Sequence, residues 1–300
     1  MQRKVRLSKH CALVLLLITF AWTGNSARGQ EHALGDALPE NSKRPAIAAS
    51  GVWLNVGLGL GGGVYRDMGT APLRYRGAAL LPQVGVRWQR EGLWNYHFEN
   101  YTGLGVYKRR VTKGLAAEAF DVNNTLRATA YRRLGTLPST GREGRRTPVE
   151  LRLGVGLRNF LDVTINTNYD NATAGVSELA GAELTLRARQ GLRLWHRRPV
   201  YWHAECGLMP VAMALRPGYA YVDNYTASQP VTASFFDDFE WAVKPLAGLT
   251  CSVGIELALG ATGNSMEIDY RWDYYSTGKS GAWRFDHATH RLCLGFNIKL

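Results

Sequence analysis

The chain has 300 residues, a formal net charge of +12 and a mean hydropathy of −0.20. It contains 33 glycines, well above the usual ~7 %, and 9 tryptophans and 14 tyrosines. The composition excludes a bundle of transmembrane helices, because nothing after the first thirty residues approaches the roughly 20 apolar residues that such a helix needs. Moderate hydropathy with abundant glycine and aromatic residues is typical of strands that are apolar on one face only.

Residues 1–29 have the organisation of an export signal. Arg3, Lys4 and Arg6 precede the apolar segment CALVLLLITFAW, which is shorter than a membrane-spanning helix. Small residues suitable for cleavage follow, and an uncleaved anchor helix is the alternative. Since an exported chain rarely meets nucleic acid, we expect no nucleic-acid partner. The basic charge instead favours outer-membrane lipids and lipopolysaccharide phosphates as partners.

Alternation of apolar and polar residues then recurs along the chain and predicts ten strands. The fifth strand is the clearest, because Val149, Leu151 and Leu153 alternate with Glu150 and Arg152. The predicted strands lie near 51–64, 73–89, 93–107, 117–134, 149–158, 179–195, 200–215, 241–259, 266–274 and 283–300.

Three features favour a membrane barrel over a soluble periplasmic β-sandwich that binds a ligand. Charges occupy one face of nearly every strand, and strands of about 12–18 residues exceed the usual five or six. The third feature is that connections alternate in length, as in barrels with short periplasmic turns. The short connections are 90–92, 196–199 and 260–264, with 135–148 as an exception, and the longer ones are predicted near 108–116, 165–178 and 216–240. Trp88 and Trp94 beside the short turns, and Trp272 towards the other rim, indicate two aromatic girdles.

The last predicted strand alternates to the end of the sequence, with Leu292, Leu294, Phe296, Ile298 and Leu300 on one face. In a closed barrel this strand must pair with the first, because a free sheet edge in lipid leaves backbone groups unsatisfied. The ending resembles the terminal signature of bacterial outer-membrane β-barrel proteins, in which an alternating strand closes on a hydrophobic residue. The resemblance implies recognition by the barrel-assembly machinery. Leu300 departs from the proteobacterial preference for Phe.

We therefore expect an all-β fold, a closed antiparallel up-and-down transmembrane β-barrel of about ten strands in the outer membrane of a Gram-negative bacterium. Twelve strands is the alternative, if 216–240 contains two more. Residues 1–29 would be the signal peptide, 30–50 an N-terminal periplasmic segment and 51–300 the barrel.

The charged faces of these strands predict a polar network inside the lumen. A barrel of this size is nearly filled by its own side chains, and opposite charges should pair because an unpaired charge away from water is costly. A narrow pore for water, ions or small solutes is the alternative. The predicted lumen residues are Arg87, Glu99, Arg127, Glu150, Arg152, Arg158, Glu183, Arg187, Arg189, Glu205, Glu256, Glu267, Asp269, Arg271 and Asp273.

Signals of catalysis are weak. Asp273, Asp286 and His287 lie towards the predicted outer rim and resemble, in residue type, the acidic and histidine groups of ten-stranded outer-membrane proteases. No motif of that family matches, and strand parity turns Asp286 away from His287. The glycine run GLGLGGG (57–63) formally fits a nucleotide-binding pattern but is followed by a strand, so it indicates relief of crowding or curvature within a strand.

The sequence thus predicts a non-catalytic barrel protein with a structural, narrow-pore or surface-contact role. A barrel hydrolase that acts on proteins or lipids at its rim is the alternative. No cofactor or metal is expected. The segment 216–240, with tyrosine and phenylalanine among small polar residues, is the candidate for contact with an extracellular partner.

Overall fold

The computed structural model describes residues 50–68, 71–90, 94–112, 115–138, 148–168, 171–193, 199–217, 239–260, 262–277 and 284–300. The predicted signal peptide (1–29) and, apart from residue 50, the predicted periplasmic segment (30–50) lie outside these residues. Within them, no helix is long and apolar enough to cross a bilayer.

Ten antiparallel strands close into a barrel in which each strand pairs with its neighbours in sequence and β1 pairs with β10. The predicted closed ten-strand barrel is confirmed. The twelve-strand alternative is wrong, because β7 pairs directly with β8. The strands are β1 (Gly51–Asp67), β2 (Ala71–Gln89), β3 (Trp94–Thr112), β4 (Leu115–Leu137), β5 (Val149–Asn168), β6 (Asn171–Arg193), β7 (Pro199–Pro217), β8 (Phe239–Leu259), β9 (Asn264–Ser276) and β10 (Phe285–Lys299).

Most strands are longer than the sequence predicted, and two predicted loops are wrong. β3 continues to Thr112 and β4 begins at Leu115. Likewise, β5 continues to Asn168 and β6 begins at Asn171. The segments 108–116 and 165–178 are therefore mostly hairpin strands. Their polar composition concealed the pairing, because strands beyond a bilayer have no lipid-facing apolar face to show alternation. Both described ends of the barrel sheet, Gly51 and Lys299, lie at one rim, which we call the terminal rim; the opposite rim is the distal rim.

The apolar face of the sheet forms the outside of the barrel. Val155 is 54 % exposed, Leu157 69 % and Ile255 41 %. A sandwich would bury these side chains between two sheets, so the soluble alternative is wrong. A closed barrel with an apolar exterior is the form in which β-structure spans a membrane, since every strand edge is paired. The protein therefore has the architecture of a transmembrane β-barrel, and the predicted fold class is confirmed.

Aromatic side chains flank this apolar exterior towards both rims. Near the terminal rim, Trp88 of β2 stacks on Tyr96 of β3 with ring centroids 5.3 Å apart. Towards the distal rim, the rings of Trp272 and Tyr274 on β9 are 6.3 Å apart and nearly parallel. Their placement fits the interfacial anchoring expected of membrane barrels.

The glycine run of β1 faces neighbouring strands at close range. A Cβ on Gly61 would lie 2.2 Å from the carbonyl oxygen of His290, and one on Gly59 would lie 2.7 Å from Sγ of Cys293. Since β2 follows in place of a helix, the run serves close packing and has no nucleotide-binding geometry.

Candidate functional site

The inward faces of the strands bring the predicted lumen residues to shared heights in the barrel. Side chains alternate between the two faces of a strand, so the register of pairing decides which inward residues are neighbours. Arg127 of β4 lies opposite Glu99 of β3 on one side and Arg158 of β5 on the other. The pairing thus concentrates charge from several strands in the middle of the lumen.

Arg127 is the centre of this network. Its Nε lies 2.8 Å from Oε2 of Glu183, and its Nη1 lies 3.2 Å from Oε2 of Glu99 and 2.5 Å from Oε1 of Glu205. Nη2 donates a hydrogen bond of 3.0 Å to Oγ1 of Thr185. The arginine is 2 % exposed, and its partners come from β3, β6 and β7. One guanidinium therefore ties strands together across the lumen.

Arg158 and Arg187 complete this middle layer. Nη2 of Arg158 lies 2.5 Å from Oε1 of Glu183, so that carboxylate is held between two guanidinium groups. Nη1 of Arg187 lies 3.8 Å from Oε2 of Glu205 and 3.3 Å from Nδ1 of His97. Because planar guanidinium groups can bond several oxygens at once, arginine suits such shared carboxylates.

A second layer lies towards the terminal rim and is centred on Glu256 of β8. Nη2 of Arg189 lies 2.9 Å from its Oε2, and Nη1 of Arg87 lies 3.4 Å from its Oε1. Oγ of Ser265 donates a hydrogen bond of 2.6 Å to the same Oε1. Nη2 of Arg87 also lies 3.4 Å from Oε2 of Glu267. Arg87 is on β2 and Glu256 is on β8, so the Arg87–Glu256 pair spans the lumen between strands that are separated by three others in the ring.

The remaining predicted lumen residues pair locally. Nη2 of Arg152 lies 2.7 Å from Oε1 of Glu150 on the same strand, and Nε of Arg271 lies 3.5 Å from Oδ2 of Asp269. Oδ2 of Asp273 forms an ion pair with Nη2 of Arg291 at 2.8 Å. Every residue named for the lumen from the sequence thus faces the interior and has an oppositely charged partner.

Several members of the network were missed from the sequence. Arg291 was overlooked although it has the inward parity of β10. Nε2 of His203 lies 3.3 Å from Oδ1 of Asp269 and 3.3 Å from Oε1 of Glu267. The ring of Tyr101 lies 4.5 Å and 4.4 Å from the guanidinium carbons of Arg271 and Arg291. Strand parity alone would have found these residues.

Two cavities within the described lumen are small. One of about 30 Å³ is lined by residues that include Asn55, Arg87, Glu99 and Cys293, and one of about 20 Å³ lies beside Arg187 and Arg189. A cavity needs at least about 10–15 Å³ to hold one water molecule. These spaces therefore fit one or two waters each, and they are too small for an organic solute.

The weak catalytic candidates do not form one group. Asp286 is on the outward face of β10, where it accepts hydrogen bonds of 2.8 Å from Oγ of Ser276 and 2.7 Å from Nε of Arg284. Asp273 belongs to the Arg291 pair. His287 is 2 % exposed inside the barrel, and the carboxylate beside it is that of Asp121, 3.9 Å from Nε2. The structure thus separates Asp286 from His287, as their parity indicates.

The predicted partner segment 216–240 is described only at its ends, since residues 218–238 lie outside the described part of the chain. At its start, Arg216 is 1 % exposed and forms an ion pair with Asp67 of β1. Contact with an extracellular partner through this segment stays a prediction.

No protein-family model matches the chain, and no curated protein matches it. Solved structures similar to the chain include the outer membrane protease OmpT from Escherichia coli, at 8 % identity and a TM-score of 0.47, covering 83 % of this chain and 97 % of that one. The translocator domain of the autotransporter NalP from Neisseria meningitidis matches at 9 % identity and a TM-score of 0.34, covering 96 % and 95 %. Neisserial surface protein A matches at 9 % identity and a TM-score of 0.31, covering 82 % and 97 %.

Proposed function

We propose that the protein is a non-catalytic, closed outer-membrane barrel with a structural or surface-contact role, and that it does not conduct solutes. The observation that carries this proposal is the arginine network, in which Arg127 and Arg87 reach across the lumen to carboxylates on distant strands. A solute moving along the axis would have to break these pairs.

The energetics of buried ion pairs support a permanent seal. Arg127 and Glu183 are 2 % and 0 % exposed, and separating such a pair leaves charges without either protein or bulk-water partners. Removing one member of a buried pair costs about 3–5 kcal/mol. Several pairs share carboxylates here, so opening a path would require the simultaneous loss of many contacts, far beyond thermal fluctuation.

The same burial argues against a rim hydrolase. A catalytic base must come within hydrogen-bond reach of its substrate or of a water molecule that attacks it. His287 and Asp121 are 2 % and 0 % exposed, and Asp286 is on the other face of its strand. The outward surface of the barrel and its distal rim are then the surfaces left for function, in contact with lipid, lipopolysaccharide or another protein.

Planar-bilayer recording tests the sealed barrel. The full chain without residues 1–29 is refolded in detergent, checked for the heat-modifiable gel shift of a folded barrel, and added to the bilayer beside a known porin. We expect no discrete conductance steps for this protein under conditions in which the porin conducts. Regular ohmic steps from the folded species would overturn the proposal. A Glu118→Gln variant, altered at an exposed pair with Lys108, serves as a matched control and should be equally silent.

A further inference from the structure

A second polar cluster lies in the distal part of the lumen, apart from the arginine network. Asp121 of β4, Asp162 of β5 and His287 of β10 are 0 %, 1 % and 2 % exposed. One side-chain atom from each, a carboxylate oxygen or an imidazole nitrogen, lies within 4.8 Å of the other two. Nε2 of His287 is 3.9 Å from Oδ2 of Asp121. Three groups able to bind a metal ion therefore converge in a buried space.

Neighbouring side chains orient both carboxylates but satisfy only one oxygen of each. Nδ2 of Asn123 donates a hydrogen bond of 2.7 Å to Oδ2 of Asp121, and Oγ1 of Thr164 donates one of 2.8 Å to Oδ2 of Asp162. Oδ1 of each aspartate is buried and has no hydrogen-bond partner. A buried acceptor left unpaired is costly, and more so when it is charged.

Three buried arginines of the described lumen are engaged with other carboxylates. Arg291 pairs with Asp273, and Arg158 pairs with Glu183. Arg216 pairs with Asp67. Two carboxylates thus share a buried site with one imidazole, whereas each carboxylate of the arginine network has a guanidinium partner.

Aromatic rings enclose the histidine. The rings of Phe160, Tyr107 and Phe285 lie 5.3, 6.3 and 6.2 Å from the imidazole ring of His287, between centroids. Oη of Tyr107 lies 3.4 Å from Nε2 of His287. These three rings carry no positive charge, and burial of both aspartates keeps bulk water from screening them.

We propose that Asp121, Asp162 and His287 bind one divalent transition-metal ion of the Zn²⁺ or Mn²⁺ class. Two carboxylate oxygens and one imidazole nitrogen form a mixed ligand set that such ions accept. Metal–ligand bonds of about 2.0–2.2 Å place two ligand atoms at most about 4.4 Å apart. The 3.9 Å between Nε2 of His287 and Oδ2 of Asp121 is within this limit, and the whole cluster, at 4.8 Å or less, would contract slightly around an ion. Asn123 and Thr164 hold the ligand carboxylates in orientation, as hydrogen-bonded neighbours of metal ligands commonly do.

The ion would supply the charge that the cluster lacks. It would also join β4 and β5 to β10, which lies four steps from β4 and five from β5 around the ring of strands. The distal lumen would then be cross-linked by a metal ion, as the middle of the lumen is by arginines.

Metal analysis of refolded protein tests the site. The full chain without residues 1–29 is refolded in EDTA or in Zn²⁺, Mn²⁺, Mg²⁺ or Ca²⁺, desalted, and measured by inductively coupled plasma mass spectrometry and thermal unfolding. Because each ion is present during refolding, access to a buried site does not limit binding. We expect one Zn²⁺ or Mn²⁺ ion per chain and a higher Tm than in EDTA, with no comparable effect of Mg²⁺.

Variants assign the ion to this cluster. His287→Gln and Asp162→Asn should each lose the ion and its Tm shift, whereas Asp286→Asn, which alters the adjacent outward carboxylate, should keep both. If the ligand variants fail to fold, Thr164→Val provides a milder change that should lower affinity by about 10–100-fold. Binding of less than one ion per chain by the wild type, or full retention of the ion by His287→Gln and Asp162→Asn, would overturn the proposal.

Discussion

Two regions of the lumen handle buried carboxylates in different ways. In the middle of the barrel, Glu183 lies between Arg127 and Arg158, with contacts of 2.8 and 2.5 Å. In the distal part, the partners of Asp121 and Asp162 among the described residues are neutral hydrogen-bond donors and one nearby imidazole. One lumen thus contains both carboxylates that are paired with guanidinium groups and carboxylates that are bonded to neutral donors.

The difference shows that burial alone does not reveal what a polar residue does. A carboxylate between two guanidinium groups stabilises the closed barrel, and removing it leaves cations unpaired. A pair of carboxylates without a cation repels itself unless a proton or a metal ion intervenes. Substitutions in the two regions should therefore change stability in opposite directions when no metal is present.

The largest effect is expected at Glu183. Glu183→Gln should lower the free energy of unfolding by about 3–5 kcal/mol, because Arg127 and Arg158 lose a shared buried partner. Urea unfolding in lipid vesicles, followed by tryptophan fluorescence, measures the change. Glu118→Gln is the matched control: its pair with Lys108 has side chains 48 % and 61 % exposed, so it should cost at most about 1 kcal/mol. Equal losses of unfolding free energy in Glu183→Gln and Glu118→Gln would show that the buried network stabilises the barrel no more than an exposed ion pair does.

A lipid-facing substitution tests whether both regions are enclosed by an apolar wall. Leu157→Arg, at an outward position of β5 that is 69 % exposed, should cost about 2–4 kcal/mol if it lies near the bilayer midplane. The control is Leu134→Arg, at an outward position close to the terminal rim, where the cost should fall to about 0–1 kcal/mol. The same unfolding assay applies, and a negligible cost at Leu157 would indicate that this face meets water.

The smallest change, and the one of opposite sign, is expected in the distal cluster. In EDTA, Asp162→Asn should raise the free energy of unfolding by on the order of 1 kcal/mol, because the neutral amide removes repulsion and can donate to Oδ1 of Asp121. Chemical unfolding of the two proteins in chelator measures the difference. A loss comparable to that of Glu183→Gln would show that the distal acids already have a compensating cation, and the contrast between the regions would fail.

The sequence was sufficient to predict the ten-stranded barrel and the charged face, because alternation such as that of Val149–Arg158 directly reports which side of a strand meets lipid. It did not reveal the distal cluster. Asp121 and Asp162 share the parity of Arg127 and Arg158, but alternation fades where β4 and β5 extend beyond the recognisable apolar pattern. Contacts across the lumen depend on register between distant strands. Cys206 and Cys251 show the same limit, since their sulfur atoms lie 2.8 Å apart on paired strands and nothing in their spacing indicates it.

A native thiol inside the lumen tests the sealed interior most directly. Cys293 is 3 % exposed and faces the interior beside Gly59, so a Cys206→Ala/Cys251→Ala variant carries it as the single thiol of residues 30–300. Sheared membranes, which are open to the reagent from both faces, are treated with a small, membrane-impermeant methanethiosulfonate cation, and labelling is read by mass spectrometry. A Thr262→Cys variant at an exposed turn provides the positive control. Cys293 should remain unlabelled until the barrel is unfolded in urea; rapid labelling of the folded protein would show a water-filled passage and contradict the closed lumen.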